Sequence, residues 1–358
     1  MANKRSKLAV PLVAVLLGFL LGAIVIVITG KSPLAMVLAL GRTLTGVDFS
    51  GRGDYNPRYV GEFILQSLPI TLTGLSVAFA FRTGLFNIGA EGQLMIGSLA
   101  AVAGALLIPA GTPFHAVLCL MAAMAAGALW AAVPGYLKAR FNVHEVVVSI
   151  MMNYTAWHFS NWALLQFGSL DRVKTPDFPV SASLKSAFLS GLTNGSRLNW
   201  GILPVALALV VFWFVIEKTT FGYSLRAVGF NKDAARYAGM KVERNIVFSM
   251  MIAGAFAGLA GAVITLGTFN FGRVLPSMEL YGMDGIAVAL VGGNAAIGVL
   301  LSGLLFGMLK AAQPLMQSQG IPREIASIIQ SSIVLFVAMR LGLEALIDLV
   351  KRNREARP

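Results

Sequence analysis

Charge is scarce in this chain of 358 residues. Asp, Glu, Lys and Arg together make up 12% of it, about half the share found in an ordinary soluble domain. A soluble fold this poor in charge has too little polar surface to cover its core. Hydrophobic types reach 57% and mean hydropathy is +0.76, so the surrounding medium is mostly lipid. Cysteine is almost absent. Cys119 stands alone inside an apolar run, which excludes a disulfide framework within the chain. The three histidines, His115, His144 and His158, are widely spaced and lack a His-Glu-x-x-His pattern, so no zinc site is expected. Acidic residues are few: 16 against 28 basic ones, for a formal net charge of +12. The basic residues are scattered over short loops and form no stripe with interleaved aromatics, which argues against nucleic acid. They fit cytoplasmic loops that follow the positive-inside bias. No Ser/His/Asp set or Gly-rich nucleotide fold is apparent. Gly30-Lys31-Ser32 suggests the end of a phosphate loop, but the earlier glycine such a loop needs is Val25, inside an apolar run. The chain is therefore expected to carry no catalytic residue, no metal and no cofactor of its own.

What is present is a series of long apolar runs. A helix needs about 20 apolar residues to cross the hydrocarbon. Lys4, Arg5 and Lys7 precede an uncharged run from Leu8 to Thr29, too long for a signal peptide and without a small-residue cleavage site. It reads as a first span. Further spans are expected at 61–80, 87–108, 113–137, 145–166, 200–216, 246–268, 296–313 and 324–341. Asp284 to Gly293 is apolar but short, and reads as a half-helix before a turn at Asn294. The expected fold is all-α and integral to the membrane, with about ten segments in a single domain over 1–358. An N-terminal half (8–216) and a C-terminal half (246–358) flank a loop at 217–245. With the N-terminus in the cytoplasm, that loop lies inside with Lys218, Arg226, Lys232, Arg236, Lys241 and Arg244. Counting the half-helix as a pass also brings the tail with Lys351, Arg352, Arg354 and Arg357 inside, which favours ten segments over nine. The outer loops 30–60 and 167–199 can carry short interfacial helices. A span, a Gly/Asn-interrupted segment and a span recur near 61–108 and 246–313, starting on opposite sides. Inverted repeats with broken helices mark transporters.

Two segments are unlike ordinary spans. Phe81 to Gln93 wedges Arg82, Asn87, Glu91, Gln93 and three glycines between apolar runs. Irregular backbone at membrane depth needs protein or a wet cavity around it. On a helix, Asn87 and Glu91 at i and i+4 would share a face. An intramembrane carboxylate suggests function, with Arg82 as its candidate partner. The alternative is that Glu91 holds the broken helix in shape. The second segment, Glu217 to Asn245, contains a candidate amphipathic helix on the membrane surface. Asn231 is a good N-cap and Gly239 a good stop. Ala234, Ala235 and Ala238 would form a small-residue face, which suits a cytoplasmic protein partner better than lipid. Small-xxx-small pairs occur at Gly18/Gly22, Gly254/Gly258 and Gly303/Gly307.

At these residues the chain resembles a known family. Gly-Leu-Phe-Asn-Ile-Gly-Ala-Glu-Gly-Gln-Leu-Met-Ile-Gly at 84–97 is similar to the signature of permease subunits of ABC importers for nucleosides. These belong to the wider group that includes ribose and branched-chain amino-acid permeases. Arg226 to Met240 resembles the group's coupling loop, which docks the ATPase, and Asp284 to Asn294 resembles its second broken helix. The resemblance implies a vitamin-B12-permease-like fold in a bacterial plasma membrane. It implies an ABC ATPase subunit that binds ATP and Mg, a second and different permease chain, and an extracytoplasmic substrate-binding protein. Phe86, Asn87, Glu91, Gln93 and Asn294 are then expected to shape the pathway, and Asn153 and Trp157, four apart, can offer polar and stacking contacts to a base. Packing between helices is the plainer role for that last pair. Arg226, Gly229, Asn231, Asp233, Ala234, Ala235, Ala238 and Gly239 are expected to couple to the ATPase. The rivals are a secondary transporter driven by protons or sodium through Glu91, and an ABC permease for a simple sugar.

Overall fold

The computed structural model describes residues 4–49, 53–168 and 173–339. Helices dominate it. α1 (Lys4–Ile28) and α2 (Pro33–Thr45) are followed by α3 (Arg58–Arg82), α4 (Ala90–Leu107), α5 (His115–Phe141) and α6 (Glu145–Leu165). After a short α7 (Ala187–Leu192) come α8 (Ile202–Lys218), α9 (Thr220–Phe230) and α10 (Lys232–Tyr237). α11 (Val242–Ala262) continues as a π-helical stretch, Val263–Phe269, and α12 (Tyr281–Val291), α13 (Ala296–Ser318) and α14 (Glu324–Ala338) complete the order. The stretches 30–60 and 167–199 carry the short helices α2 and α7.

Five of these helices are long and apolar enough to cross a membrane: α3, α4, α5, α11 with its π extension, and α13. A sixth arises if α8 and α9, bent by 73° at Thr219, are taken together. α1, α2, α12 and α14 provide shorter apolar stretches. α6 has 21 residues, but Glu145, Asn153, His158 and Asn161 dilute its apolar character. The described part of the last expected span ends at Met339, and the basic C-terminal tail lies outside the described residues.

α3 is the centre of the molecule. From Leu65 to Ala80 nearly every side chain is buried, so the helix has no lipid face. Pro69 removes one backbone donor inside it. Thr73 spans the same turn, its Oγ1 within 3.1 Å of the Pro69 and Ile70 carbonyls and 2.9 Å of the Tyr281 carbonyl. The helices around α3 close in through glycine. Gly303 and Gly307 of α13 lie against Thr71 and Ser67 of α3, and Gly285 of α12 lies against Thr73. Gly254 and Gly258 of α11 meet Gly127 and Ala123 of α5, and Gly18 and Gly22 of α1 meet Ile333 and Ile329 of α14. All three small-residue pairs therefore sit at close helix crossings. In lipid, where apolar burial does not favour helix against helix, such contact supplies the cohesion.

Candidate functional site

The first break separates α3 from α4. Gly84 takes φ +72°, and Leu85 to Gly89 is not helical. The expectation that Asn87 and Glu91 share a helix face is corrected here, because α4 begins only at Ala90. Asn87 stays in the loop, fully buried, and exchanges amide hydrogen bonds with Gln93. Asn87 Nδ2 donates to Gln93 Oε1 at 2.8 Å, and Gln93 Nε2 donates to Asn87 Oδ1 at 2.9 Å. Asn87 Nδ2 also donates to Ser76 Oγ of α3 at 3.0 Å. These two amides tie the loop to the helices on either side. Phe86 packs on Phe81, with ring centroids 5.0 Å apart.

Glu91 is 1% exposed. Its Oε1 accepts the Leu280 amide at 2.9 Å and its Oε2 accepts the Gly282 amide at 2.6 Å. The carboxylate thus caps the N-terminus of α12 from the first turn of α4, where two helix dipoles place partial positive charge. The pairing with Arg82 is not what the structure forms. Arg82 pairs with Glu217 near the end of α8, which also holds Arg226 at 2.7 Å. Seven residues, 83–89, lie between the end of α3 and the first turn of α4 that carries Glu91, and the glycine turn points the two side chains apart.

Asn153 and Trp157 of α6 face inward, and their polar atoms are committed to backbone. Asn153 Oδ1 accepts the Gly92 amide at 2.9 Å and its Nδ2 donates to the Ile88 carbonyl at 3.0 Å, bracketing the break. Trp157 Nε1 donates to the Leu275 carbonyl at 2.9 Å, a group that also accepts Asn161 Nδ2 at 2.8 Å. Trp157 lines a narrow crevice of about 20 Å³ with Ser98, Ser160 and Thr265, room for about one water. Thr265 belongs to the π stretch, a geometry frequent at functional sites.

The second break follows α12. Gly293 and Asn294 both take positive φ, +61° and +56°, which turns the chain into α13. Asn294 Oδ1 is buried without a hydrogen bond among the described residues. Lys310 of α13 was not foreseen. Its Nζ reaches Asp284 Oδ2 at 3.3 Å and sits 3.6 Å from the centre of the Tyr281 ring. The signal was available: Lys310 is the one ionisable residue inside the apolar run 296–313. Arg273 and Glu279, in the loop before α12, form a two-pronged pair at 2.9 and 2.8 Å.

The loop at 217–245 forms two helices rather than one, α9 and α10. Asn231 ends α9 and caps α10, its Oδ1 accepting the Asp233 and Ala234 amides at 3.0 Å. Gly239, at φ +81°, stops α10. The three alanines do not share a face. Ala235 is buried beneath the hairpin, whereas Ala234 and Ala238 are exposed. Phe230 and Tyr237, 91% and 97% exposed, stand beside them. Gly229 packs against the backbone at Arg82 to Gly84.

A family model described as branched-chain amino acid transport system / permease component matches residues 59–338. The chain belongs to this permease family. Its similarity to named members extends almost end to end. It is 46% identical to the guanosine ABC transporter permease protein NupP of Bacillus subtilis, over 99% of both chains. It is 35% identical to the nucleoside ABC transporter permease protein NupB of Lactococcus lactis, over 98% of this chain and 96% of that one. The glucose ABC transporter permease protein TsgB13 of Haloferax volcanii is 34% identical over 77% of this chain and 75% of its own.

Proposed function

We propose that the chain is the transmembrane permease subunit of an ATP-driven ABC importer for nucleosides, purine nucleosides such as guanosine among them. The observation that carries the substrate class is the identity of 46% over 99% of both chains with a permease named for guanosine. The glucose-named relative is matched over a smaller share of the chain, so a sugar is the weaker reading. An ion-driven carrier is disfavoured by Glu91, because both carboxylate oxygens already hold backbone amides.

In this reading the chain lies in a bacterial plasma membrane with both termini in the cytoplasm. The five or six long apolar helices, with the shorter ones and α6, make up about ten segments of a vitamin-B12-permease-like fold. ATP and Mg bind to a partner ATPase, which docks on α9 and α10. A second, different permease chain completes the pathway, and an extracytoplasmic binding protein delivers the substrate. Phe86, Asn87, Glu91, Gln93, Asn153, Trp157 and Asn294 shape the walls of the pathway. Arg226, Gly229, Asn231, Asp233, Ala234, Ala235, Ala238 and Gly239 receive the motion of the ATPase.

Uptake of labelled guanosine, ribose and branched-chain amino acids, compared in cells with and without the chain, tests this. Loss of guanosine uptake is expected. Loss of ribose uptake alone refutes the nucleoside assignment.

A further inference from the structure

Gly229 is the point where α9 touches the first broken helix. A Cβ at Gly229 would lie 2.6 Å from the Arg82 carbonyl oxygen, 2.9 Å from the Thr83 carbonyl carbon and 3.0 Å from the Gly84 amide nitrogen. The contact is mutual, since a Cβ at Gly84 would lie 3.1 Å from the Gly229 carbonyl oxygen. Two backbones therefore meet with no side chain between them. The surroundings fasten the meeting point. Glu217 pairs with Arg82 from α3 and with Arg226 from α9. Ser249 Oγ of α11 donates to Thr83 Oγ1 at 2.7 Å in a buried position.

From Gly84 the chain leads directly into the break. Asn153 holds Ile88 and Gly92, and Glu91 holds Leu280 and Gly282 at the start of α12. Gly282 lies against the Glu91 backbone as well. The path from the hairpin to the second half-helix thus runs through backbone contacts and short hydrogen-bonded side chains. Its one longer side chain, Glu91, is held at both carboxylate oxygens. Close-packed interiors of this kind transmit strain.

We infer that Gly229 is a positioning residue for transport. Its backbone contact with Gly84 is the joint by which the α9–α10 hairpin displaces the first break, and Glu91 carries that displacement into α12. The two broken helices then move together. This rests on the permease reading above, with an ATPase acting on α9 and α10. A methyl group at Gly229 must push the hairpin off the end of α3, which slackens the joint without altering Phe230, Tyr237 or the outer face of α10.

The test uses the complete transporter in proteoliposomes: this chain, its ATPase, the second permease and the binding protein. Guanosine uptake and ATP hydrolysis are measured together and expressed as nucleosides moved per ATP. The wild-type complex is read first. If guanosine moves nothing, the nucleoside assignment fails, and the ratio is taken with whichever of ribose or a branched-chain amino acid is transported. For assembled Gly229→Ala complexes the ratio is expected to fall about tenfold, within the range that coupling changes span. Glu91→Gln, at the far end of the path, is expected to lower it similarly. An unchanged ratio in assembled Gly229→Ala overturns the inference. If Gly229→Ala does not assemble, an unchanged ratio in Glu91→Gln overturns it.

Discussion

The Glu91 carboxylate of one broken helix accepts the Gly282 amide of the other at 2.6 Å. This bond, with its neighbour to Leu280, joins segments almost two hundred residues apart in the chain. Glu91→Ala leaves one buried donor, at Gly282, and one part-buried donor, at Leu280, unpaired at the start of α12. The expected loss is about 2–4 kcal/mol, from about 1–3 kcal/mol for the unpaired buried amide and less for the part-buried one. Thermal unfolding of the purified chain in detergent measures it. A melting temperature equal to wild type would show that the bonds hold nothing.

Phe230 and Tyr237 project from the α9–α10 hairpin with little cover from the rest of the chain. Large aromatics so exposed suit burial in a partner's pocket. The double change Phe230→Ala/Tyr237→Ala should leave thermal stability within about 0.5 kcal/mol, as for other surface positions. Capture of the ATPase should weaken by about thirtyfold or more, since a single truncated anchor residue costs about 2 kcal/mol. Equal ATPase capture by variant and wild type in a pull-down titration would remove these residues from the docking surface.

The glycines divide sharply by surroundings. Gly258 of α11 lies against the Ala123 carbonyl and Gly127 of α5, whereas Gly191 in α7 has open space around it. Gly258→Val should destabilise by about 3 kcal/mol, at the upper end for overpacking, and lower the yield of folded protein. Gly191→Ala should be neutral or slightly stabilising, because alanine loses less chain entropy in a helix. Size-exclusion profiles and melting temperatures of the two variants should therefore separate. Matching profiles would mean that α5 and α11 tolerate a wider crossing.

Sequence patterning was sufficient to locate the runs that form the five or six long apolar helices, the two breaks and the turn at Asn231. Each depends on local signals: apolar length, Gly and Asn where φ must be positive, and a side chain that caps its own helix. Partnerships were less legible. Arg82 and Glu91 are near in sequence, yet the glycine turn at Gly84 sends Arg82 to Glu217 and leaves Glu91 to the backbone of α12. Helix spacing put Asn87 and Glu91 on one face, but a face exists only where a helix does, and α4 starts between them. The alanines at 234, 235 and 238 looked like one surface by composition. The second helix of the hairpin rolls Ala235 inward and leaves Phe230 and Tyr237 outside. The contact of Gly229 with Gly84 has no signature in either glycine's neighbours, because it is made by two distant backbones.

Lys310 provides the last prediction. It stands in the middle of an apolar helix with Asp284 at 3.3 Å and the Tyr281 ring beneath it. Side chains of the pair are about a fifth exposed, 23% and 21%, so part of the charge is solvated. Lys310→Met removes one partner and leaves the Asp284 carboxylate facing the first turn of α12 without its cation. The cost should be about 2 kcal/mol, below the 3–5 kcal/mol of a fully buried broken pair. Adding Asp284→Asn to Lys310→Met removes the stranded charge and should restore much of the loss, giving a favourable interaction energy in the double-mutant cycle of roughly 1–2 kcal/mol. Melting temperatures of the two single variants and the double variant settle the matter. Simple additivity would mean that the two groups do not act as a pair, and that Lys310 is held in the helix by the aromatic ring alone.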